Sequence, residues 1–425
     1  MTLLLISLLV FLVIGIPIAF SLGLSATLYF LIFNRELLSV LPQMLFAGMD
    51  SYTLIALPLF ILMGQLMNES KITSKLIDFC LLFVGKIRGG LGLVNVTSSM
   101  LFGGISGSSV SDTASIGSVL IPEMEKRGYP KEYAAGLTVA SSTMGMIIPP
   151  SIPMVLYAVT AQESVGRLFL GGLFPGLLVG LLQLFITIWI SNKNSYPRES
   201  KKFSIQTILK KIVENSYILL MPFFVVGSVI LGVATATESA ALGVFYALMI
   251  GVFLIKSLKP SNIYKALKDS VLTSAKIMII IAFSKLFIWI LAYERIPDQI
   301  SETISTFGLN PTSMLLLFAI IILISGTFID VSPAILLFTP VFLPSIISIG
   351  ISPTLFGVIL VIGLAVGACT PPVGNCLNVC AIITGLSIEK IFKSAAPFLI
   401  ANVITLIIII IFPNLVMWLP NKIMG

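Results

Sequence analysis

A chain of 425 residues that is 57% hydrophobic and 10% charged has too few polar groups to solvate a water-soluble globule of its size. Histidine is absent, which excludes imidazole metal ligands, histidine general bases and serine–histidine triads, and with them most enzyme classes. The formal charge of +7 is distributed loop by loop rather than along one helix or among aromatics, so the expected partner is a lipid bilayer and not a nucleic acid.

Stretches such as Thr2 to Phe33, Leu168 to Ser191, Tyr217 to Ile255 and Pro397 to Leu419 are each long and apolar enough to cross hydrocarbon, which takes roughly 18–20 residues. The first lacks a basic region before it and a cleavage pattern, so it reads as a mature helix rather than a signal peptide. With the N-terminus outside, spans near 3–19, 22–33 and 51–67 reach an inner loop, 68–90, carrying Lys71, Lys75, Lys86 and Arg88. The next segment, 92–121, is interrupted by Gly103, Gly104 and Gly107 and is followed by Lys126, Arg127 and Lys131. Basic loops on both sides of it predict a re-entrant hairpin, whose irregular tip must be covered by protein or water. Two more spans lead to 192–215, a basic cytoplasmic linker with Lys193, Arg198, Lys201, Lys202, Lys210 and Lys211. It divides a first membrane repeat, 1–191, from a second, 216–425.

The second half continues with spans near 217–233, 239–255 and 277–293 and an inner loop, 256–276, holding Lys256, Lys259, Lys265, Lys268 and Lys276. A second hairpin near 312–343 opens from the opposite side, between the acidic loop of Glu294, Asp298 and Glu302 and the uncharged loop 344–354. With Lys390 and Lys393 in a last inner loop, 385–395, only Arg35, Arg167, Lys285, Arg295 and Lys422 of the 25 lysines and arginines fall elsewhere. The cysteines, Cys80, Cys369, Cys376 and Cys380, sit among apolar or small residues without metal or disulfide spacing and are expected to be free buried thiols.

Sliding the sequence by about 222 residues brings Pro122 onto Pro344, Gly145 onto Gly367, Pro149 and Pro150 onto Pro371 and Pro372, and Pro175 onto Pro397. Near the same shift Ser106-Gly107 meets Ser325-Gly326 and Asp112 falls close to Asp330. An odd number of crossings per half turns the second repeat upside down. The predicted fold is therefore an all-α polytopic membrane protein of two inverted-topology repeats, each with a re-entrant hairpin and a discontinuous helix, the plan of secondary carriers.

The helix-breaking segments are 103–113 and 141–151 in the first half and 325–333 and 367–375 in the second, which combine glycine with small hydroxyls and, in all but the first, proline. Glycine permits irregular backbone and proline removes a donor, which frees carbonyl oxygens of the kind a hard monovalent cation requires. Half-helix N-termini at the same breaks suit an anionic group without an arginine. Asp112 and Asp330 are ionisable at membrane depth, which marks them as functional candidates, with helix capping the alternative or additional role. Glu238, in a short turn between spans, reads as a cap. Lys285 lies within a span and reads as snorkelling toward an interface or a partner, and Trp189, Trp289 and Trp418 fit interfacial belts.

At Gly104-Ile105-Ser106-Gly107-Ser108 with Asp112, Met146-Ile147-Ile148-Pro149-Pro150-Ser151, Ala234-Thr235-Ala236-Thr237-Glu238-Ser239-Ala240-Ala241 and Thr370-Pro371-Pro372-Val373-Gly374, the chain resembles the large membrane subunit of tripartite ATP-independent periplasmic transporters. The resemblance runs essentially full length and departs at Ala236, where that family often has proline. It implies an elevator-type carrier of the bacterial inner membrane, not an enzyme. Such a carrier is driven by sodium as coupling ion without other cofactors. It works with a small four-helix membrane subunit and a periplasmic substrate-binding protein and carries a carboxylate such as a C4-dicarboxylate, sialic acid or a sugar acid. On that reading one sodium site lies between the first tip, Ser106, Ser108 and Ser109, and the break at Gly145 and Pro149. Its counterpart lies between Gly326, Thr327 and Asp330 and the break at Gly367 and Thr370, with substrate between the two near Ser108, Ser151, Asp330 and Pro371. A sodium/carboxylate symporter needing no binding protein shares the repeat logic. A channel would share the re-entrant loops, and an intramembrane enzyme would use Asp112 and Asp330 as a pair.

Overall fold

The structure, a computed structural model, describes residues 2–70, 72–198, 205–296, 298–299, 302 and 310–425. Helix α1 (Thr2–Val13) turns at Gly15 into α2 (Ile18–Phe33), followed by α3 (Val40–Met49), α4 (Ala56–Glu69) and α5 (Ile72–Val84). The first hairpin is α6 (Gly90–Ser106) and α7 (Ser109–Lys126). The span after it is discontinuous, with α8 (Lys131–Ser142), one turn α9 (Met144–Ile147) and α10 (Ile152–Ala161), and the unbroken α11 (Val165–Lys193) closes this half.

The second half opens with α12 (Ile205–Ile230), α13 (Ala236–Met249) and α14 (Pro260–Tyr293). Its hairpin is α15 (Pro311–Gly326) and α16 (Val331–Ser348), its discontinuous span α17 (Pro353–Gly367) and α18 (Asn375–Thr384), and α19 (Ile388–Ile411) and α20 (Asn414–Met424) complete the chain. Among the described residues eight helical stretches are long and apolar enough to cross a membrane. Each half thus carries one hairpin and one broken helix, at the positions the glycine and proline clusters predict.

Several expected loops are helices. Residues 72–84 of the inner loop 68–90 form α5, whereas Lys71 lies outside the described residues. The chain between the spans expected at 22–33 and 51–67 folds into α3, which packs on α14. Most of the loop expected over 256–276 is the first half of α14, a single 34-residue helix. Its charged residues had suggested a loop, yet Ala266, Ser270, Ser274, Ile277 and Ile281 are buried at helical spacing. There Ser270 Oγ donates to Pro58 O at 3.3 Å, while Lys265 pairs with Glu69 at 2.7 Å. Of the linker 192–215, Lys193 ends α11 and α12 begins at Ile205, while Lys201 and Lys202 lie outside the described residues. Helix α16 continues to Ser348, which shortens the loop expected over 344–354.

Two helices are interior. Residues 133–142 of α8 and 354–367 of α17 are buried on every side, so their apolar and small residues all meet other helices rather than lipid. Around them pack both hairpins, α10, α18 and α19. A second apolar cluster joins α1, α2 and α14 through Leu4, Leu22, Phe30, Leu286, Phe287 and Ile290. Glu238 caps α13 in a reciprocal box with Thr235, as its place in the turn predicts. The cysteines are free and buried. Trp189 and Trp418 are exposed with Lys193 and Lys422 over their rings, whereas Trp289 packs against Phe30 and Tyr293.

Candidate functional site

The tip of the first hairpin is built by Gly107, whose left-handed backbone (φ 64°) ends α6, and by extended Ser108, which starts α7. The break after α9 is pinned to that tip by one backbone bond, Ile152 N–H to Gly107 O at 3.2 Å. The second half repeats the device, with Val373 N–H donating to Thr327 O at 3.1 Å. Both breaks contain a cis Pro–Pro peptide, Pro149–Pro150 and Pro371–Pro372. Glycines allow the close approach. A methyl on Gly145 would lie 2.3 Å from Asp112 Oδ2, and one on Gly367 would lie 2.4 Å from the carbonyl carbon of Gly326.

Between tip and break in the first half sits Asp112, in the first turn of α7 and fully buried. The Ser106 hydroxyl donates to its Oδ1 and also approaches Ser108 O, at 3.3 Å. Oδ2 has no hydrogen-bond partner among the described residues. A buried carboxylate with one oxygen unpaired calls for a proton or a cation beside it, and Ser106, Ser108 O and the peptides around Gly145 supply the neutral oxygens a hard cation would share. The second tip differs. Asp330 is the exposed N-cap of α16 and accepts from Val331 N–H at 2.8 Å, while the hydroxyls of Thr327 and Thr370 donate back to Ile324 O and Val366 O of the helices that precede them. Close in the repeat alignment, the two aspartates thus do different work.

A cavity of about 520 Å³ opens between the tips and reaches the lysine-bearing first half of α14. Ser106, Ser108, Ser109 and Ser111 line it from the first tip, Asp330, Val331 and Ser332 from the second, and Met146, Ile152, Pro153 and Ala368 from the two breaks. The N-termini of α7, α10 and α16 therefore converge on one space, each carrying a partial positive charge of roughly +0.5. Of the expected substrate residues, Ser108 and Asp330 face this cavity and Ser151 and Pro371 do not. Ser151 is buried and spends its hydroxyl on the start of α10, accepting from Met154 N–H and donating to Met146 O. Of the expected ion residues, Gly145 and Pro149 lie behind the first tip, against Asp112 and Gly104, and Gly326 packs on Gly367 behind the second.

The far wall was not foreseen. It is formed by Gln65 and Asn68 of α4 and by Thr273, Lys276, Ile277 and Ile280 of α14. The available signal was that α14 holds no glycine and no proline after its first position, so nothing interrupts a helix through the segment read as a loop. Lys285, further along α14, lines a second cavity of about 570 Å³ with Asp50 and Glu163.

The model of the family described as "Tripartite ATP-independent periplasmic transporter, DctM component" matches residues 5–415. The chain is 37% identical over 94% of its length to the C4-dicarboxylate TRAP transporter large permease protein DctM of Pseudomonas aeruginosa, covering 94% of that protein. It is 33% identical over 97% of its length to the sialic acid TRAP transporter large permease protein SiaM of Vibrio cholerae, covering 96% of it. Against the isethionate TRAP transporter permease protein DctMQ of Oleidesulfovibrio alaskensis it is 34% identical over 96% of its length but spans 64% of that longer protein. Its fold is similar to the YdaH transporter of Alcanivorax borkumensis, with a TM-score of 0.66, 13% identity and coverage of 92% of this chain and 90% of that one.

Proposed function

Because the chain belongs to the DctM-component family of tripartite ATP-independent periplasmic transporters, a family of multi-pass inner-membrane permeases and not of enzymes, we propose that it is the large permease subunit of a sodium-coupled importer of a small organic acid. The observation that carries this reading is the convergence of two hairpin tips and two helix breaks on one cavity lined by hydroxyls and helix N-termini. A carboxylate fits such a wall, since backbone N–H groups and serine hydroxyls donate to it without a fixed cation. A volume of about 520 Å³ suits a ligand of metabolite size.

Sodium is assigned to two places. The first lies behind the first tip, where the unpaired Asp112 Oδ2, Ser106, Ser108 and Ser109 meet the break at Gly145 and Pro149. The second lies at Gly326, Thr327, Gly367 and Thr370, where carbonyl and hydroxyl oxygens are present but no buried carboxylate. Bound sodium would supply a fixed positive charge that ties each tip to its break, so that the hairpins take the shape that receives substrate. The matching hairpins and breaks support an inverted-repeat design. They also support an elevator motion in which the hairpin-bearing unit moves against the frame of α1 to α4 and α12 to α14.

The partners on this reading are a small membrane subunit and a periplasmic binding protein. The test is uptake of candidate acids into proteoliposomes holding the chain and its small subunit, with and without binding protein and an inward sodium gradient. Accumulation that requires both supports the proposal. Sodium-driven accumulation indifferent to the binding protein would assign the chain instead to ordinary symport.

A further inference from the structure

Among the described residues, helix α14 carries the sole cation that lines the cavity between the tips, Lys276, and the sole acid there is Asp330. These two do not neutralise each other. Lys276 makes no ion pair among the described residues and is exposed, while the Asp330 carboxylate accepts from Val331 N–H at the start of α16. The other nearby acid, Asp112, is buried behind Ser106 and does not line the cavity. The lysine stem leaves α14 beside Thr273, Ile277 and Ile280, on the wall facing the serines of the first tip. An anion in this cavity therefore finds the serines and helix N-terminus of the first tip on one wall, set apart from the capped Asp330 carboxylate of the second tip, and a full positive charge on the wall of α14.

Helix α14 packs chiefly on α2, α3 and α4, so Lys276 belongs to the frame, whereas the serines belong to the hairpins. We propose that Lys276 is the charge-selecting residue of the carrier, its ammonium pairing with an anionic group of the substrate across the cavity from the hairpin tips. This rests on the organic-acid reading above. It assigns recognition of substrate charge to the side of the protein that the tips move against, so the pairing forms only when the cavity faces the basic, cytoplasmic side. The pair is a charge-assisted hydrogen bond, of the kind whose loss weakens binding by about 10- to 100-fold.

The experiment uses the chain with its small subunit in proteoliposomes, with succinate, N-acetylneuraminate and isethionate as probes. For the acid that wild type accumulates, vesicles are loaded with it and efflux into excess unliganded binding protein is measured, which reports occupancy from the cytoplasmic side. Lys276→Gln should raise the half-saturating internal concentration by about 10- to 100-fold and change the maximal rate by less than about threefold. Lys276→Arg should restore it to within about threefold, and Lys285→Gln, in the other cavity, should leave it unchanged. Equal half-saturation for wild type and Lys276→Gln overturns the inference, and so does an arginine variant as weak as the glutamine one, which would mean a role of shape. Failure of wild type to accumulate any of the three acids instead defeats the organic-acid reading, and the assignment of Lys276 with it.

Discussion

Replacing Gly367 with alanine places a methyl carbon 2.4 Å from the carbonyl carbon of Gly326 and 2.6 Å from its Cα and its oxygen. Carbon atoms pack at about 3.5 Å or more, so the second tip must withdraw from the break by about 1 Å. The obstructing atoms are backbone, which cannot rotate aside as a side chain can. The cost of such overpacking is about 1–3 kcal/mol, equivalent to about a 5- to 150-fold loss in any equilibrium that needs tip and break in register. The Val373 N–H to Thr327 O bond joins the same two elements and lengthens with the withdrawal. If sodium is held there, its half-saturating concentration in uptake should rise by that factor, and the melting midpoint in detergent should fall by a few degrees. Gly227→Ala is the control, because a methyl there meets nothing within 4 Å. The reasoning fails if Gly367→Ala keeps both the sodium half-saturation and the melting midpoint of wild type.

Asp112→Asn keeps the shape and removes the charge. Uptake should lose sodium dependence or need at least about tenfold more sodium, and an unchanged sodium titration would remove Asp112 from the ion site. Gln183→Leu deletes the donor that Ala140 O and Asn402 Oδ1 share at 3.1 and 3.0 Å, deep between α8, α11 and α19. With Asn402 Oδ1 left unpaired the expected destabilisation is about 1–3 kcal/mol, read as a lower detergent melting midpoint with the half-saturations for sodium and acid unchanged. Thr235→Ala breaks the capping box with Glu238 and should cost about 1 kcal/mol of stability, again without a change in transport constants. A shift in substrate half-saturation for this variant would show that the turn before α13 belongs to the transport machinery.

Much of this protein is legible in its sequence because a bilayer leaves few ways to satisfy a backbone. Apolar length identified the crossing helices, and glycine–proline clusters 222 residues apart located the breaks at Pro149–Pro150 and Pro371–Pro372. Charge misled where a helix leaves the hydrocarbon. Residues 72–84 and 260–276 are helical, the second with Lys265, Lys268 and Lys276 exposed and the first with Lys75 half-buried against Tyr217, and a count of basic residues cannot tell such a helix from a loop. The side chains of the site depended on packing. Asp112 and Asp330 fall close together when the halves are aligned in sequence, yet the first sits in the first turn of α7, buried against Gly145, and the second is the exposed N-cap of α16. Ser151 matches the composition of a binding loop, but the need to cap α10 takes its hydroxyl. Lys276 reached the cavity only because α4 and α14, distant in sequence, pack side by side, and no local pattern encodes which face of a long helix a neighbour will cover. Periodicity and helix-breaking residues are local and survive in one dimension, whereas burial, pairing and the wall a charge faces are set by contacts between segments far apart in the chain.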